Sequence, residues 1–590
     1  MNIDKRKYYT ETEKNLSQKS LKPKGLSSAR FPIKNRNKSI KYNQNKSHNK
    51  AGEVSANEVH RVLSKMGYGP TSELVNHLQS LPGTTTRDKI FSYIDEQLSP
   101  DSLDDSSAQN LLNNGYTTLN KSRTQLYQQH YRRPDGAEIE WDEHILPGQE
   151  IFYASFMLAI NSKRQLFELV TDFWHNHFNV YMDSDGIPPM FVHYDRDVIR
   201  KNTLGNFREM LEDVTKSCCM LDYLGNGVNN KEAPNENFAR ELLELHTLSA
   251  KNYMGHMSSE AVEVDSEGRK LGYVEADVLE MARALTGWSY SGADWWDYQD
   301  GNVASGEFLF RQDWHDQDDK YIMGNTYSYD ANNTLKDMQD VLDMLAEHPA
   351  TAEFLATKLC RRFISDTPSE SIIASVKQSL HQNWQAPDQI KLAMEVLLKS
   401  SDFLDTWGEK IKRPFERAAS AMRQMGITYD FNPTKEHSSW IFWEFRNSGQ
   451  NLFHWTSPNG FPDTKAAWLG ASSIMSTWRF MQWMARFRDD DENTYNDILN
   501  ITLSHFANPN DRTANNIVNF WFEKACGIQP NFHIQDKLAK FMSYLDTSDP
   551  QETDRNALID LTTNEWPGYN QDRLFAVVST VFLTTEFNYR

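Results

Sequence analysis

Apolar residues recur along most of this chain at the three- and four-residue spacing of one helix face, and only rarely alternate as they would in a half-buried strand. The periodicity starts near Glu53, with Val59, Leu63 and Met66 in EVHRVLSKMGYGPT and stop signals at Gly67–Pro70. Further helices are predicted over Thr71–Gln79, Gln149–Val180, Leu204–Thr215, Asn235–Leu248, Ala276–Leu285 and Thr334–Glu347. The same spacing continues over Pro349–Ile364, Pro368–Gln382, Pro387–Lys399, Pro414–Met425, Asp463–Phe487 and Thr513–Ala525, with several more helices near the carboxyl end. The main exception is Gly287–Gly324, rich in Gly, Asp and aromatic residues, which reads as a β-hairpin or a long ordered loop. No solenoid-period repeat is visible. The fold class predicted is all-α: a compact multi-helix assembly, one large helical domain over residues 53–590, with a small hairpin or long-loop excursion around residues 287–324.

Composition changes this picture at one end. Residues 1–50 hold 14 Lys plus Arg against 3 Asp plus Glu, so of the 62 and 81 in the whole chain, 48 and 78 fall after them. A disordered basic tail, residues 1–52, is therefore expected ahead of an acidic body. Aromatic residues that would stack on bases are not interleaved in it, so a solvated linker is the expectation and nucleic acid is not the partner predicted. The 39% hydrophobic and 12% aromatic content of the chain supplies bulk enough for a folded core. Uncharged apolar stretches such as Ala576–Leu583 fall far short of the ~20 residues of a membrane span. No signal peptide is readable in residues 1–20, which leaves a cytoplasmic location as the default expectation. Cys218, Cys219, Cys360 and Cys526 show no C-x-x-C spacing, so buried free thiols are expected rather than a zinc clip or redox pair.

Candidate chemistry sits in four segments. In Leu166–Val180 (LFELVTDFWHNHFNV) a helical wheel puts His177 among Leu166, Leu169, Val170, Phe173, Trp174 and Phe178, whereas His175 falls on the opposite side with Glu168 and Asp172. His177 is expected to be buried, either as a hydrogen-bonded core imidazole or as a ligand or general base. His175 is expected to be solvated or capping, and a helical His-x-His pair cannot chelate one ion. In Pro234–Leu248 (PNENFARELLELHTL) Asn235 is an N-cap, His246 lands on the apolar side, and Glu236, Arg240 and Glu244 line the far side at i, i+4 and i+8 with Glu241 on the flank. The ladder alone is an ordinary surface feature. A second imidazole on an apolar face is not, so His177 and His246 are predicted to face a common interior with Glu241 at its rim, a set able to bind a divalent metal or to move a proton. In Asp313–Gly324 (DWHDQDDKYIMG) His315 beside Asp316 can serve as a proton-transfer pair or be an ordinary polar turn, and the register of an EF-hand is not met. In Glu347–Asp366 (EHPATAEFLATKLCRRFISD) Lys358, Arg361 and Arg362 make a basic patch that either docks an anion or pairs with the acidic body. Ferritin-type Glu-x-x-His, His-Glu-x-x-His, Walker A and Gly-x-Ser-x-Gly signatures are all missing.

Taken in order, RVLSKMGYGPT, FWHNHF, MLDYLGNGVNNKEAPNENFARELLELHTL, DVLEMARALTGW, WHDQDDKYIMG, HPATAEFLATKLCRRF, KRPFERAASAMRQMG and SPNGFPDTKAAWL resemble a large bacterial family catalogued only as domain of unknown function 1800. The resemblance covers nearly all of the chain after the tail. It implies a polar signature at His177, Asn235, Glu236, Arg240, Glu241, Glu244, His315, Asp316 and Lys320, and it implies export for many members. Two departures are visible: Ala250–Lys270 is an insertion expected to enlarge a surface loop, and Gly225 stands where an Asp is common.

Two function classes follow. One is a hydrolytic or metal-assisted enzyme using His177, His246, Glu241, Glu236, Arg240 and the His315, Asp316 and Lys320 loop as acid, base or ligands, with a divalent metal on His177, His246 and Glu241. The other is a binding or assembly protein for a polysaccharide or cell-envelope partner, with the Trp-rich segments Trp288–Trp314 and Trp440–Trp468 as aromatic platforms.

Overall fold

The helices begin where side chains can satisfy the free amides of a first turn: Asn57 accepts from His60, Thr71 from Leu74, and Thr85 with Asp88 closes a capping box ahead of Thr86–Gln97. The computed structural model describes residues 56–298, 303–435, 437–488, 495–544, 554–564 and 569–590, apart from the side chains at 295–296, 440–442 and 444–445. The expected tail, residues 1–52, lies outside the described residues. Val54–Arg590 forms one compact unit.

The described residues are mainly α-helical, with two small antiparallel two-stranded sheets. Both sheets lie within or just past the predicted excursion: Trp288–Tyr290 pairs with Phe308–Phe310, and Lys320–Ile322 pairs with Asn325–Tyr327. No helix among the described residues is long and apolar enough to cross a membrane. All four cysteines are buried and free.

The site is positioned by a few helices around one large apolar core. Trp141–Asn161 packs against Ile187–His193 and Pro414–Met425. The single long helix expected over Gln149–Val180 is two helices, broken at Ser162, whose hydroxyl donates to Asp105, and resuming as Gln165–His177. Pro349–Phe363 begins with proline in its first turn and packs against Glu370–Gln382. A small separate apolar cluster, Ile411, Phe461 and Trp468, with Trp455 and Tyr589 against it, lies under the 455–468 stretch.

Three stretches continue an α-helix with wider, five-residue hydrogen-bonded turns: Tyr127–Tyr131, Tyr194–Arg200 and Leu242–Thr247. Such turns are rare and recur at functional sites. Here the second carries Asp195 and Arg200 and the third carries His246. The Ala250–Lys270 insertion is a largely exposed excursion with two short 3-10 turns.

Candidate functional site

Every polar residue at the end of the Gln165–His177 helix, from His175 to Asn179, has a different partner. His177 is 1% exposed, as its place on the wheel predicts. Its Nε2 lies 3.1 Å from the His246 carbonyl, and a carbonyl only accepts, so Nε2 carries the proton. That leaves Nδ1 to accept from Lys358 Nζ at 2.8 Å. The two imidazoles do meet inside the protein, with ring centroids 6.2 Å apart, but the charged group beside them is an ammonium and not a carboxylate. Burial, then the charge of Lys358, pushes His246 down to about 3 and holds His177 well below the usual imidazole range. Burial also pushes the Lys358 ammonium down to about 8. Neither ring nitrogen of His246 has a hydrogen-bond partner among the described residues.

These shifts set a pH window. Folded imidazoles whose pKa lies below the unfolded value of 6.5 leave the unfolded chain to bind protons first, so stability is full above pH 6.5 and falls as pH drops toward 3. His60, also pushed to about 3 by burial, adds to the same loss. Because the His246 ring makes no hydrogen bond, and the backbone carbonyl that accepts from His177 is kept, the expectation for His246→Leu is a melting temperature close to wild type at pH 7.5 and a shallower fall between pH 6.5 and 4. Thermal melts across that range check it, and an unchanged acid slope would contradict it.

His175 was expected in solvent and is instead 7% exposed, because the far side of this helix also packs into the protein. Its Nε2 donates to Asp195 Oδ1 at 2.8 Å, and Arg200 bridges Asp195 Oδ2 at 2.8 Å to Glu168 at 2.9 Å. Burial alone would raise the Asp195 carboxyl, but Arg200 and His175 hold it below the ordinary range. With Nε2 committed, Nδ1 has no hydrogen-bond partner among the described residues, on a ring that lines a crevice of about 20 Å³ with Asp172, Asn176, Arg413 and Phe453. That is the room one water molecule needs. Phe453 covers the ring at 4.9 Å in a left-handed backbone conformation (φ 65°), which its carbonyl's bond from Met182 N at 2.8 Å helps to hold.

Asn176 and Asn179 fasten the loop that closes the site. Asn176 Nδ2 donates to the Phe461 carbonyl at 3.0 Å, and its Oδ1 accepts from Phe461 N at 2.7 Å. Asn179 Nδ2 donates to the carbonyls of Trp455 at 2.9 Å and Ser457 at 2.8 Å. The loop comes so close that a Cβ on Gly460, at φ 71°, would sit 2.1 Å from the Asn176 carbonyl oxygen. Gly460→Ala is thus expected to cost about 1–3 kcal/mol through strain and lost fastening. Denaturant unfolding of the variant measures this, and a change under about 0.5 kcal/mol would show that the fit is not tight.

The crevice shares Asn176, Arg413 and Phe461 with a larger cavity of about 310 Å³, so the two adjoin. The larger part is walled by Phe354, Lys358, Arg361 and Arg362 of the Pro349–Phe363 helix and roofed by Trp455 and Gly460–Thr464. Wider grooves of about 880 Å³ open elsewhere on the surface, but neither contains a comparable histidine–carboxylate pair.

The remaining predicted residues fall in two other places. Glu236, exposed, lies 3.4 Å from Arg240, which turns to Glu275 at 2.7 Å. Glu241 does not join the imidazoles: burial, then Glu244, raises its carboxyl, with Arg240 opposing. His315 and Lys320 converge on Asp337, at 2.9 and 2.7 Å, all three side chains fully buried, and Asp316 turns away to Arg283 at 2.8 Å. Among the described residues no group of three or more His, Cys, Asp or Glu stands where it could hold a metal ion. Of the tryptophans, Trp288 and Trp468 are buried, Trp455 is half-buried in the cleft and Trp443 is exposed. The side chains of Trp295, Trp296 and Trp440 lie outside the described residues.

A family model described as protein of unknown function (DUF1800) matches residues 61–589. No curated protein and no solved structure matches the chain.

Proposed function

The chain belongs to the family of proteins of unknown function (DUF1800), so its activity is to be argued from the cleft, and we propose that it is a hydrolytic enzyme whose general base is His175 oriented by Asp195. The observation that carries this reading is an imidazole with one nitrogen committed to a buried carboxylate, on a ring that lines a water-sized crevice beside a ligand-sized cavity. In the proposed step a water in the crevice gives a proton to His175 Nδ1 as its oxygen attacks the electrophilic centre of a substrate seated in the larger cavity. Asp195, kept ionised by Arg200, stabilises the imidazolium, which returns the proton to the departing oxygen or nitrogen. Protons and electron pairs then balance with no further reactant.

On this reading His177 orients Lys358 and does not touch substrate. The His315, Lys320 and Asp337 cluster, and the Glu236, Arg240 and Glu275 set, hold structure. A metal-assisted form on His177, His246 and Glu241 has weaker support, since both nitrogens of His177 are committed and Glu241 answers to Glu244 and Arg240. A second reading, binding of a polysaccharide or cell-envelope partner, is favoured by Trp455 in the cleft and exposed Trp443. Screening the purified full chain against chromogenic carboxyl, phosphate and sulfate esters and glycosides separates the two. Turnover that depends on His175 supports the enzyme, and glycan binding with no turnover of any class supports the binder.

A further inference from the structure

The wall of the larger cavity carries more positive charge than its surroundings neutralise. Arg362 and Arg413 share Asp172, and Arg362 also reaches Glu416 at 2.7 Å. Lys358 and Arg361 have no carboxylate within ion-pair reach among the described residues. Asp463 also lines the cavity and acts on the Lys358 ammonium through its charge, but beyond ion-pair distance, and its ion pair is with Lys410 at 3.3 Å. Lys358 spends one N–H on His177 Nδ1, which leaves two for another acceptor. The buried Nε atoms of Arg361, Arg362 and Arg413 have no protein acceptor among the described residues, although Arg362 and Arg413 are only 2% and 3% exposed. Buried donors of this kind normally find a partner.

We propose that this cavity binds a tetrahedral dianion, the phosphate group of a phosphomonoester, with Lys358 and Arg361 as its counter-charges and Arg362 and Arg413 as further N–H donors. Two unneutralised cations match two negative charges, whereas a carboxylate would leave one cation unpaired. Guanidinium forks suit a tetrahedral oxyanion, which offers several oxygens at once. A volume of about 310 Å³ is at the lower end of small-molecule sites, so the organic part of a compact ester has room and a polymer segment does not. The same basic patch is visible in the sequence, and the cavity gives it room to dock an anion. The inference rests on the hydrolytic reading for the role of this anion as the substrate's handle, but the binding itself needs no turnover.

The test is calorimetric titration of the full chain with inorganic phosphate, sulfate and acetate in a low-salt buffer free of all three. Phosphate is expected to bind at one site, with sulfate, a tetrahedral dianion of the same shape, competing for it and acetate at least tenfold weaker. Arg361→Gln, which breaks no ion pair, is expected to weaken the dianion at least tenfold with its melting temperature unchanged, and Lys358→Met is expected to weaken it as much with a lowered melting temperature, because His177 Nδ1 loses its donor. Undetectable dianion binding, acetate binding as tightly as either dianion, or equal affinity in wild type and both variants would overturn the proposal. Dianion binding lost in Arg361→Gln in a protein that turns over no substrate of any class would keep this site and remove the hydrolytic reading. His175-dependent turnover with no effect of Arg361→Gln on binding would do the reverse.

Discussion

His175→Asn is expected to fold normally and to lose about 10²–10⁴ of hydrolytic rate against the best substrate, the range a positioned general base supplies. Asparagine still offers an N–H near Asp195, so the buried carboxylate is not stripped of every donor, and Arg200 continues to hold it at 2.8 Å. Asp195→Asn acts at one remove: it leaves His175 in place but no longer fixes which nitrogen is protonated, so its rate loss should be large and its pH profile displaced. A merely structural His175–Asp195 pair predicts the opposite pattern, with lowered melting temperatures and rates in proportion to the folded fraction. Initial rates and melts on the same preparations therefore decide between the two. A His175→Asn enzyme with more than a third of wild-type rate would remove the base from the mechanism.

The second large effect is on stability. Glu416 is 4% exposed, accepts from Arg413 N at 2.7 Å, and pairs with Arg362 at 2.7 Å and with Arg590. Burial would raise its carboxyl, but Arg362, Arg590 and Arg413 hold it far below the ordinary range. Glu416→Gln keeps the shape and removes the charge, leaving two guanidiniums that are 2% exposed short of a counter-charge. Breaking a buried pair in this way costs about 3–5 kcal/mol, and denaturant unfolding should show it. The sign with pH follows from the depressed pKa: the carboxylate's contribution is whole above the unfolded value of 4.5 and is lost as pH falls below it. A loss under about 1 kcal/mol would mean that the arginines find other partners.

The fold class was legible because apolar spacing reports local geometry, and the predicted helix over Pro414–Met425 matches its observed bounds. Ile187–His193 is not among the predicted helices, and its two prolines sit in the first turn, where they cost no hydrogen bond. His177 was readable from the wheel and His175 was misread by it. A wheel sorts residues by face, and in a large protein the polar face of a helix can also be interior, satisfied by a partner such as Asp195 that no period in the sequence connects to it. The wide turns at Tyr194–Arg200 and Leu242–Thr247 leave no compositional mark either, yet they carry Asp195, Arg200 and His246. The basic patch at Lys358, Arg361 and Arg362 was visible as a pattern, but whether it faced water or a cavity depended on the distant 455–464 stretch.

The attachments of Asn176 and Asn179 have a kinetic consequence. Four hydrogen bonds from two neighbouring side chains hold one short stretch of backbone, so none of them can break alone without straining the others. Release of that stretch should be concerted, with its amides exchanging hydrogen at a common rate, as in a cooperative opening unit.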